Sequence, residues 1–276
     1  MTMSRIVVKW GGSLQQNSAA IADDIAALWR DHRIIVVHGG SRDIDDTIRE
    51  LGLPRRTLQS PDGMVTRYTD AATLSALMMA MRGRTQARII SELGARGVTA
   101  VGLSGMDGGL IRTERKAAIR AVFGDSVRVV RDNFAGRVVG VDTSVLEALH
   151  ACGMVPVVCP PGMTADGQPT NVDADRLACA IAAAWRADRL LLFTDTPGVL
   201  ADRDDPGSTI ASLSRDDAKS LVPELSGGMR MKVAAAVEAL GNGAQAVQVC
   251  DGRVDAPIAA ALRGSGTLIG KGRDAP

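Results

Sequence analysis

The chain has 276 residues, 46% of them hydrophobic and 23% charged, so it is long enough to bury a sizeable core. A net charge of +1 and an aromatic content of 3% argue against nucleic-acid binding, which relies on basic surfaces and base stacking. No apolar run reaches the ~18 residues that a membrane span requires. Lys9 and the glycines after it interrupt the N-terminal apolar run, which is not typical of a signal peptide.

Cysteine and histidine usage predicts a cytoplasmic protein without a metal centre of its own. The four cysteines stand singly in apolar segments, which is typical of buried, reduced thiols. The three histidines are scattered along the chain and lack the spacing of metal ligands.

The first predicted strand, residues 5–8, runs into Lys9 and then into two glycines, Gly11 and Gly12. Its β-branched apolar residues are typical of a buried strand, and glycine lets backbone N–H groups approach a ligand closely. A lysine at the carboxyl end of a strand lies where open α/β sheets bind their ligands. The pattern suits a phosphate group, although an ordinary turn with a surface lysine would read the same way.

A second strand–glycine junction follows a helix predicted over residues 18–30, for which Ser18 is the expected N-cap. The strand 34–37 ends in His38, Gly39 and Gly40, and a helix is predicted from about residue 43 to residue 51. A helix N-terminus beside a glycine turn offers unpaired N–H groups to an anion. Two such junctions predict a site that holds two anionic groups. We interpret His38 as a hydrogen-bonded structural residue in preference to a catalytic one.

The next segment predicts a β-hairpin over residues 57–68 and then a long helix that Asp70 caps and Gly94 ends. Arg67, between the two, is either a solvated arginine or a fork aimed at a carboxylate. Another strand is predicted over residues 98–103.

Residues 112–140 interrupt the alternation of strands and helices. The segment contains three strand-like pieces, 117–123, 127–130 and 137–141, and as a whole it carries seven basic residues against three acidic ones. This segment is either a solvated β-ribbon whose edge is protected by charge, or a docking surface for an acidic partner. The basic residues are Arg112, Arg115, Lys116, Arg120, Arg128, Arg131 and Arg137.

The remaining sequence predicts a return to α/β structure and then a second lobe. Asn171, Asp173 and Asp175 alternate at the start of an alanine-rich helix, and one N-cap would need only one of them. A buried strand over residues 190–193 leads into a polar and glycine-containing loop that ends at Leu200. Farther on, a glycine loop at residues 226–228 precedes a helix over 233–240, with Lys232 in its first turns.

Two familiar nucleotide-binding signatures are not met. The P-loop pattern would require glycine at position 265 and serine or threonine at position 272, where the chain has Ser265 and Gly272. The string from Gly241 to Ala246 matches the dinucleotide-binding fingerprint, but it follows a helix and precedes a strand, which is the wrong order. The sequence therefore favours neither a Walker ATPase nor a Rossmann dehydrogenase.

The motifs that remain are Lys9-x-Gly11-Gly12, His38-Gly39-Gly40, Arg67, Asn171-x-x-x-Asp175, Thr194-Asp195-x-Pro197-Gly198-Val199-Leu200 and Gly227-Gly228-Met229-x-x-Lys232. In order and separation they resemble those of the amino acid kinase family and its acetylglutamate kinase-like branch.

Within that branch the chain is most similar to the [LysW]-aminoadipate/[LysW]-glutamate kinases, which act on an amino acid held by a small acidic carrier protein. The similarity rests on Arg67-Tyr68-Thr69-Asp70, on the turn 102–108 and on the basic segment that begins Glu114-Arg115-Lys116. An acidic carrier would give the basic segment a function, so the resemblance favours the docking interpretation for all seven residues.

The resemblance also implies a role for each matched residue. Lys9 and Lys232 would neutralise the transferred phosphoryl group, and Asp175 would hold both lysines. The substrate-binding residues implied are Gly39, Gly40, Ser41, Arg67, Tyr68 and Asn171. The ATP-binding residues implied are Lys9, Gly11, Gly12, Thr194, Asp195, Gly198, Val199, Leu200, Gly228, Met229 and Lys232. Mg²⁺ would be carried by ATP.

We therefore expect an α/β protein, a three-layer αβα sandwich with a mainly parallel central sheet. Residues 1–175 would form the substrate and carrier lobe and residues 176–276 the ATP lobe of one kinase domain. The expected reaction is ATP-dependent phosphorylation of the side-chain carboxylate of carrier-bound aminoadipate or glutamate by a homodimer. The alternatives are an acetylglutamate kinase that acts on the free small molecule and a non-catalytic sensor with the same fold.

Two departures from the family pattern stand out. Ser41 replaces a third glycine after His38-Gly39-Gly40, and serine has less backbone freedom than glycine. Asp173 replaces a more usual asparagine and adds negative charge near Asp175.

Overall fold

A computed structural model describes residues 3–11, 17–61 and 63–270 of the chain. The strands are β1 (Ser4–Trp10), β2 (His32–His38), β3 (Thr57–Gln59), β4 (Val65–Arg67), β5 (Ala100–Ser104), β6 (Ile111–Arg115), β7 (Ile119–Phe123), β8 (Ser126–Val130), β9 (Gly136–Val141), β10 (Val155–Cys159), β11 (Gly162–Met163), β12 (Pro169–Thr170), β13 (Arg189–Thr194), β14 (Ser212–Ser214), β15 (Ala246–Asp251) and β16 (Thr267–Gly270).

The helices are α1 (Ser18–Leu28), α2 (Ser41–Glu50), α3 (Ala71–Ala80), α4 (Ala87–Gly94), α5 (Ser144–Ala151), α6 (Ala174–Ala184), α7 (Arg215–Leu221), α8 (Gly227–Gly241) and α9 (Pro257–Leu262). A π-helical turn, Met81–Gln86, joins α3 to α4. No helix in the described part of the chain is long and apolar enough to cross a membrane.

The middle layer is a sheet in which the described strands lie in the order β14-β16-β15-β13-β1-β2-β10-β5. Its strands pair in parallel except for the antiparallel pair β15 and β16. Period-2 alternation sends Ile6 and Val8 to one face of β1 and Val7 to the other. On the first face the sheet packs against α1, α4 and α9, and on the second against α5, α6, α7 and α8. The predicted three-layer αβα sandwich is confirmed.

The two halves of the sequence contribute to this one sheet side by side. Strands β1, β2, β5 and β10 precede residue 175, and β13 to β16 follow it. The seam is the parallel pair β1 and β13, in which Lys9 lies opposite Leu192. The assignment of substrate to one half and ATP to the other remains a proposal.

Three smaller sheets lie outside the sandwich. Strand β3 pairs with β4, β7 pairs with β8, and β6 joins β9, β11 and β12. The predicted hairpin over 57–68 is therefore present, and the basic segment forms strands as predicted, with β6 as an additional one. A small cluster of Leu58, Tyr68 and Ala121 packs the first two hairpins together.

Several predicted boundaries were wrong. Helix α1 ends at Leu28 instead of residue 30, and its N-cap is Asn17, while the hydroxyl of Ser18 donates to Glu92 Oε1 at 3.0 Å. Helix α8 begins at Gly227, six residues before the predicted start, with Gly227 in the left-handed region at φ 57°. The helix predicted to end at Gly94 contains a π-helical turn, which apolar periodicity does not reveal.

Candidate active site

The candidate site lies at the carboxyl ends of the central strands. Strand β1 connects through α1 to β2 on one side, and β13 and β15 extend the sheet on the other side, so the strand order reverses at β1. In open α/β sheets the crevice at such a reversal is the usual ligand site. Helices α6 and α8 pack on this part of the sheet and carry two of the predicted catalytic residues.

One carboxylate and two ammonium groups meet at this edge. Lys9 Nζ lies 2.8 Å from Asp175 Oδ1, and Lys232 Nζ lies 2.8 Å from Asp175 Oδ2. The three side chains are only 10–12% exposed. The structure thus brings together residues from β1, α6 and α8 that are far apart in the sequence. We call Lys9, Asp175 and Lys232 the lysine–aspartate cluster.

The charges in this cluster depend on one another. Burial works against ionisation of Asp175, but the two ammonium groups outweigh it and lower the pKa of Asp175 to about 2. Burial also lowers the pKa of Lys232, and the nearby Lys9 ammonium lowers it further. For Lys9 the attraction of Asp175 outweighs burial and raises the pKa. With all three groups ionised the cluster has one excess positive charge, which is available to an anionic ligand.

Asp173 is the N-cap of α6. Its Oδ1 accepts hydrogen bonds from the N–H groups of Asp175 at 3.0 Å and Arg176 at 3.1 Å. A capping carboxylate interacts favourably with the positive end of a helix. The negative charge that the sequence places here is therefore used to start the helix that carries Asp175.

His38 is fully buried at the end of β2, where its Nδ1 lies 2.7 Å from the Gly39 carbonyl oxygen. Burial is the main reason that its pKa falls to about 4. The imidazole is therefore neutral at pH 7, which agrees with the structural interpretation of this histidine.

The second glycine junction lies close to the lysine–aspartate cluster. A Cβ added at Gly39 would lie 3.4 Å from the Cβ of Ala174, the residue before Asp175. A Cβ at Gly40 would lie 2.9 Å from Thr85 Oγ1 and 3.0 Å from Met81 Cγ, so glycine is needed for the close approach to the π-helical turn. Ser41 begins α2 and is exposed. Gly11 is described at the end of β1, whereas Gly12 lies outside the described residues.

Arg67 and Asn171 are tied to the neighbourhood of this junction. Arg67 Nη1 lies 2.6 Å from Asp45 Oδ1 on α2, and the arginine side chain is 18% exposed. Arg67 is therefore not a solvated arginine, and its visible partner is the chain's own Asp45; a contact with a substrate carboxylate remains a prediction. The side-chain amide of Asn171 donates to Thr69 Oγ1 at 3.3 Å, two residues beyond Arg67.

Tyr68 points into a different environment from Arg67. Its hydroxyl donates to Asp132, Arg56 lies 4.5 Å from the centre of its ring, and the ring packs with Leu58 and Ala121. These contacts place the side chain in the wall of a groove between two hairpins. A contact of Tyr68 with the acid substrate remains a prediction.

The residues predicted to bind ATP follow β13. Thr194 Oγ1 donates to Asp195 Oδ1 at 3.2 Å, and Val199 N–H donates to Thr267 Oγ1 at 2.8 Å. A Cβ at Gly198 would lie 2.7 Å from Thr267 Oγ1, so glycine is needed there. Val199 is fully buried and its N–H is bonded to Thr267, so this residue holds the loop in place. The next residue, Leu200, forms an isolated antiparallel bridge with Thr209.

The first turn of α8 contributes the other predicted ATP-binding residues. The position of a Cβ on Gly228 is open, with no atom within 4 Å, and Met229 packs against the core. Among the described residues there is no group of three or more His, Cys, Asp or Glu side chains that could hold a metal ion.

The structure distributes the seven predicted docking residues over different environments. Arg128 and Arg131 line a groove of about 610 Å³ between the β3–β4 and β7–β8 hairpins, which we call the hairpin groove. Arg120 is exposed on β7. The pKa of Lys116 is lowered by partial burial of its ammonium group and by the nearby positive charge of Arg176.

The other three docking residues are engaged within the chain. Arg115 donates to the carbonyl oxygens of Asn133 and Arg131, at 3.0 and 2.9 Å. Arg137 is paired with Glu114 at 2.5 Å, and the Arg112 guanidinium lies over Gly140.

Sequence reasoning missed two residues that connect the halves of the chain at this edge. The Asn17 amide donates to the carbonyl oxygens of Gly252 and Val254, both at 2.8 Å. The buried Asp24 carboxylate accepts from the N–H groups of Ile258 and Ala259 at 2.6 and 3.0 Å, at the start of α9. Asn17 is the N-cap of α1 by position, but its side chain makes no capping hydrogen bond, so local capping rules do not predict its distant partners.

Comparison with known proteins agrees with this geometry. The sequence profile described as "Amino acid kinase family" matches residues 4–251. The chain belongs to the amino acid kinase family.

Two curated relatives of this amino acid kinase match it over nearly its whole length. A [LysW]-aminoadipate kinase of Deinococcus radiodurans is 37% identical over 97% of this chain and 92% of its own. An acetylglutamate kinase of Symbiobacterium thermophilum is 39% identical over 96% of this chain and 91% of its own.

Among solved structures, N-acetylglutamate synthase from Neisseria gonorrhoeae superposes with a TM-score of 0.79 at 22% identity. The match covers 98% of this kinase and 60% of the synthase, and at this identity it shows the fold alone. The amino acid kinase fold is thus confirmed. The predicted class of enzyme, a phosphotransferase with a carboxyl group as acceptor, is confirmed at the level of the family and its named kinases.

Proposed function

We propose that this kinase transfers the γ-phosphoryl group of ATP to the side-chain carboxylate of an N-blocked amino acid, most favourably 2-aminoadipate or glutamate held by an acidic carrier protein of the LysW type. The observation that carries the proposal is the lysine–aspartate cluster, in which Lys9 and Lys232 share Asp175 at 2.8 Å each. The cluster lies beside the glycine junction Gly39–Gly40, and both features suit anionic reactants.

The reaction needs positioning and positive charge more than proton transfer. A carboxylate oxygen attacks the γ-phosphorus, a P–O bond forms, and the bond to the β–γ bridging oxygen breaks with its electron pair leaving on ADP. The products are an acyl phosphate and ADP. The acceptor carboxylate, with a pKa near ~4, is already ionised at pH 7, so no general base is required. The neutral, buried His38 is compatible with this scheme.

The main barrier is repulsion between the acid and the polyanionic nucleotide. Two preorganised ammonium groups in a buried site lower that barrier, because they need not reorganise as charge develops on the phosphoryl oxygens. Asp175 keeps both ammonium groups in place at the start of α6. Without it, two like charges would lie together in a buried site.

We assign the groups around the cluster according to their positions. Arg67, Asn171 and the N–H groups of Gly39, Gly40 and Ser41 would hold the acid. Thr194, Asp195, Gly198 and Leu200 with the first turn of α8 would frame the nucleotide. Mg²⁺ would bind to the phosphates of ATP and neutralise part of their charge, and no protein carboxylate is assigned to it.

The hairpin groove supports a carrier-borne substrate. Arg56, Arg128 and Arg131 line it together with one acidic residue, Asp132, and with apolar residues, of which Phe123 and Val129 are 41% and 52% exposed. Exposed apolar side chains bordered by an excess of one charge are typical of a protein-binding surface for a partner of opposite charge. The path Tyr68–Thr69–Asn171 connects this groove to the helix that carries Asp175.

The test offers purified protein ATP with LysW-bound aminoadipate, LysW-bound glutamate and free N-acetylglutamate in parallel, with ADP release as the readout. We expect kcat/KM for one carrier-bound acid to exceed that for free N-acetylglutamate by at least ~100-fold, the contribution expected from remote binding.

Each alternative has its own outcome in this assay. Faster turnover of free N-acetylglutamate would assign the chain to acetylglutamate kinases and leave the basic strands without a carrier role. No ADP release with any acid, from protein that still binds ATP, would favour a non-catalytic sensor. A mass measurement in solution tests the accompanying expectation of a homodimer.

A further inference from the structure

An ion pair that the proposed mechanism does not use, between a buried carboxylate and a partly exposed arginine, lies behind the second glycine junction. Asp43, in the first turn of α2, is 9% exposed. Its Oδ2 accepts hydrogen bonds from Arg88 Nη2 at 2.7 Å and from Thr85 Oγ1 at 2.5 Å. Arg88 belongs to α4 and Thr85 to the π-helical turn, so three elements meet at one carboxylate oxygen. We call these residues the Asp43 network.

The Asp43 network touches both glycine turns. Thr85 Oγ1 is the atom that a Cβ on Gly40 would meet at 2.9 Å. Thr85 and Arg88 also line a small cavity together with Trp10, Gly11 and Gly39. The network therefore forms the backing of the strand–glycine junctions at which the two reactants are proposed to meet.

Asp43 creates an electrostatic conflict that its partners resolve. A carboxylate in the first turn of a helix stabilises that helix, because it faces the positive end of the dipole. In α2 the same helix end is proposed to hold an anionic substrate, and an unpaired carboxylate one turn away would repel it. Arg88 neutralises that charge, and together with Thr85 it draws the carboxylate toward α4.

The other charged groups around Asp43 do not replace Arg88. Arg84, on the π-helical turn, is already paired with Glu50 of α2. His38, on β2, is neutral at pH 7 because burial lowers its pKa to about 4. Lys9 is paired with Asp175 in the lysine–aspartate cluster.

We propose that Asp43, Thr85 and Arg88 are positioning residues that hold the second glycine junction in place and mask the Asp43 carboxylate from the acid substrate. This inference rests on the proposed function, since it assumes that the acid binds at Gly39 and Gly40. It adds a determinant of acid affinity that lies on α4, outside the residues assigned to either reactant.

The first test removes the masking charge with Arg88→Met. We expect KM for the acid to rise about tenfold, while kcat and KM for ATP stay within about twofold, because the exposed carboxylate acts on binding of the anion. Adding Asp43→Asn to this variant removes the carboxylate itself. The double variant should return KM for the acid to within about threefold of wild type.

The pH dependence separates masking from simple structural support. In Arg88→Met the pKa of Asp43 should rise above that in the wild-type protein, because burial still disfavours the charged form and the arginine that offsets it is lost. As the pH falls, Asp43 should then become protonated at a higher pH than in the wild-type protein, which removes the repulsion and lowers KM for the acid. The double variant has no carboxylate to titrate and should not show this trend.

Arg96→Met is the matched control. Arg96, just after the end of α4, also pairs with an aspartate, Asp23 of α1, at 2.5 Å, but neither residue lines the cavity at Gly11 and Gly39. Its KM values should be those of wild type. Thr85→Val provides a milder variant if Arg88→Met folds poorly, and we expect KM for the acid to rise about threefold.

Two outcomes would overturn the inference. One is a wild-type KM for the acid in both Arg88→Met and Thr85→Val, and the other is a double variant as impaired as Arg88→Met at every pH. A wild-type enzyme that phosphorylates no acid would instead overturn the proposed function, and this inference with it.

Discussion

The lysine–aspartate cluster and the hairpin groove both present positive charge, but they do so in opposite environments. In the cluster, three side chains that are 10–12% exposed hold one another at 2.8 Å. In the groove, Arg128 and Arg131 stand beside exposed apolar side chains such as Val129, which is 52% exposed. Charge in a buried site is weakly screened and depends strongly on geometry, whereas charge at a surface is screened by salt.

This difference predicts different kinetic signatures. Changes in the cluster should act on kcat and be nearly insensitive to salt, because the charges meet the reacting phosphoryl group. Changes in the groove should act on KM for the carrier and weaken as salt increases, because they affect encounter and docking.

The largest expected effect comes from Lys9→Met or Lys232→Met. Either change removes one ammonium group from the transition state, and kcat should fall by at least ~100-fold, as when a preorganised electrostatic donor is lost. ADP release at saturating substrates measures the loss. Thermal melting of each variant provides the control for folding, and a folded variant with kcat within a few-fold of wild type would contradict the assigned role.

An intermediate effect is expected from reversing charge in the groove with Arg128→Glu and Arg131→Glu together. KM for carrier-bound acid should rise by about tenfold at low salt and by less at high salt, while kcat stays near that of wild type. Arg263→Glu, an exposed arginine just after α9, is the matched control. If KM for carrier-bound acid is the same in the double variant and in Arg263→Glu, the basic strands are better interpreted as a solvated edge of a β-ribbon.

The smallest effect is expected at the glycine junction, from Gly40→Ala. The new Cβ would lie 2.9 Å from Thr85 Oγ1, so either the junction or the π-helical turn must shift by a few tenths of an ångström. We expect KM for the acid to rise by about threefold, with kcat less affected. Gly94→Ala serves as the comparison, since a Cβ there has no atom within 4 Å. An unchanged KM in Gly40→Ala would show that the junction adapts without loss of binding.

Local signals in the sequence were sufficient for the layered fold, whereas the three residues of the cluster were grouped through the resemblance to a known family. Unbroken runs of β-branched residues predict buried strands such as β1. Parallel pairing then brings the residues at the carboxyl ends of these strands to one edge of the sheet. Strand ends therefore place Lys9 and Gly39 at this edge, whereas the role of Asp175 was implied by the resemblance to the family. The start of α8 at Gly227 could not be predicted, because glycines are poor helix formers and only packing compensates for them.

Contacts between distant segments were decided by the tertiary structure alone. The sequence around Asp43 does not indicate that Arg88 and Thr85 bind its carboxylate. The sequence around Asn17 likewise does not indicate that its amide binds the backbone at Gly252 and Val254. Short motifs can predict which residues lie at the edge of the sheet, because this depends on residue type and on where the strands end. The pairing of charged side chains from distant segments depends on how whole helices pack, and no local sequence pattern predicts that packing.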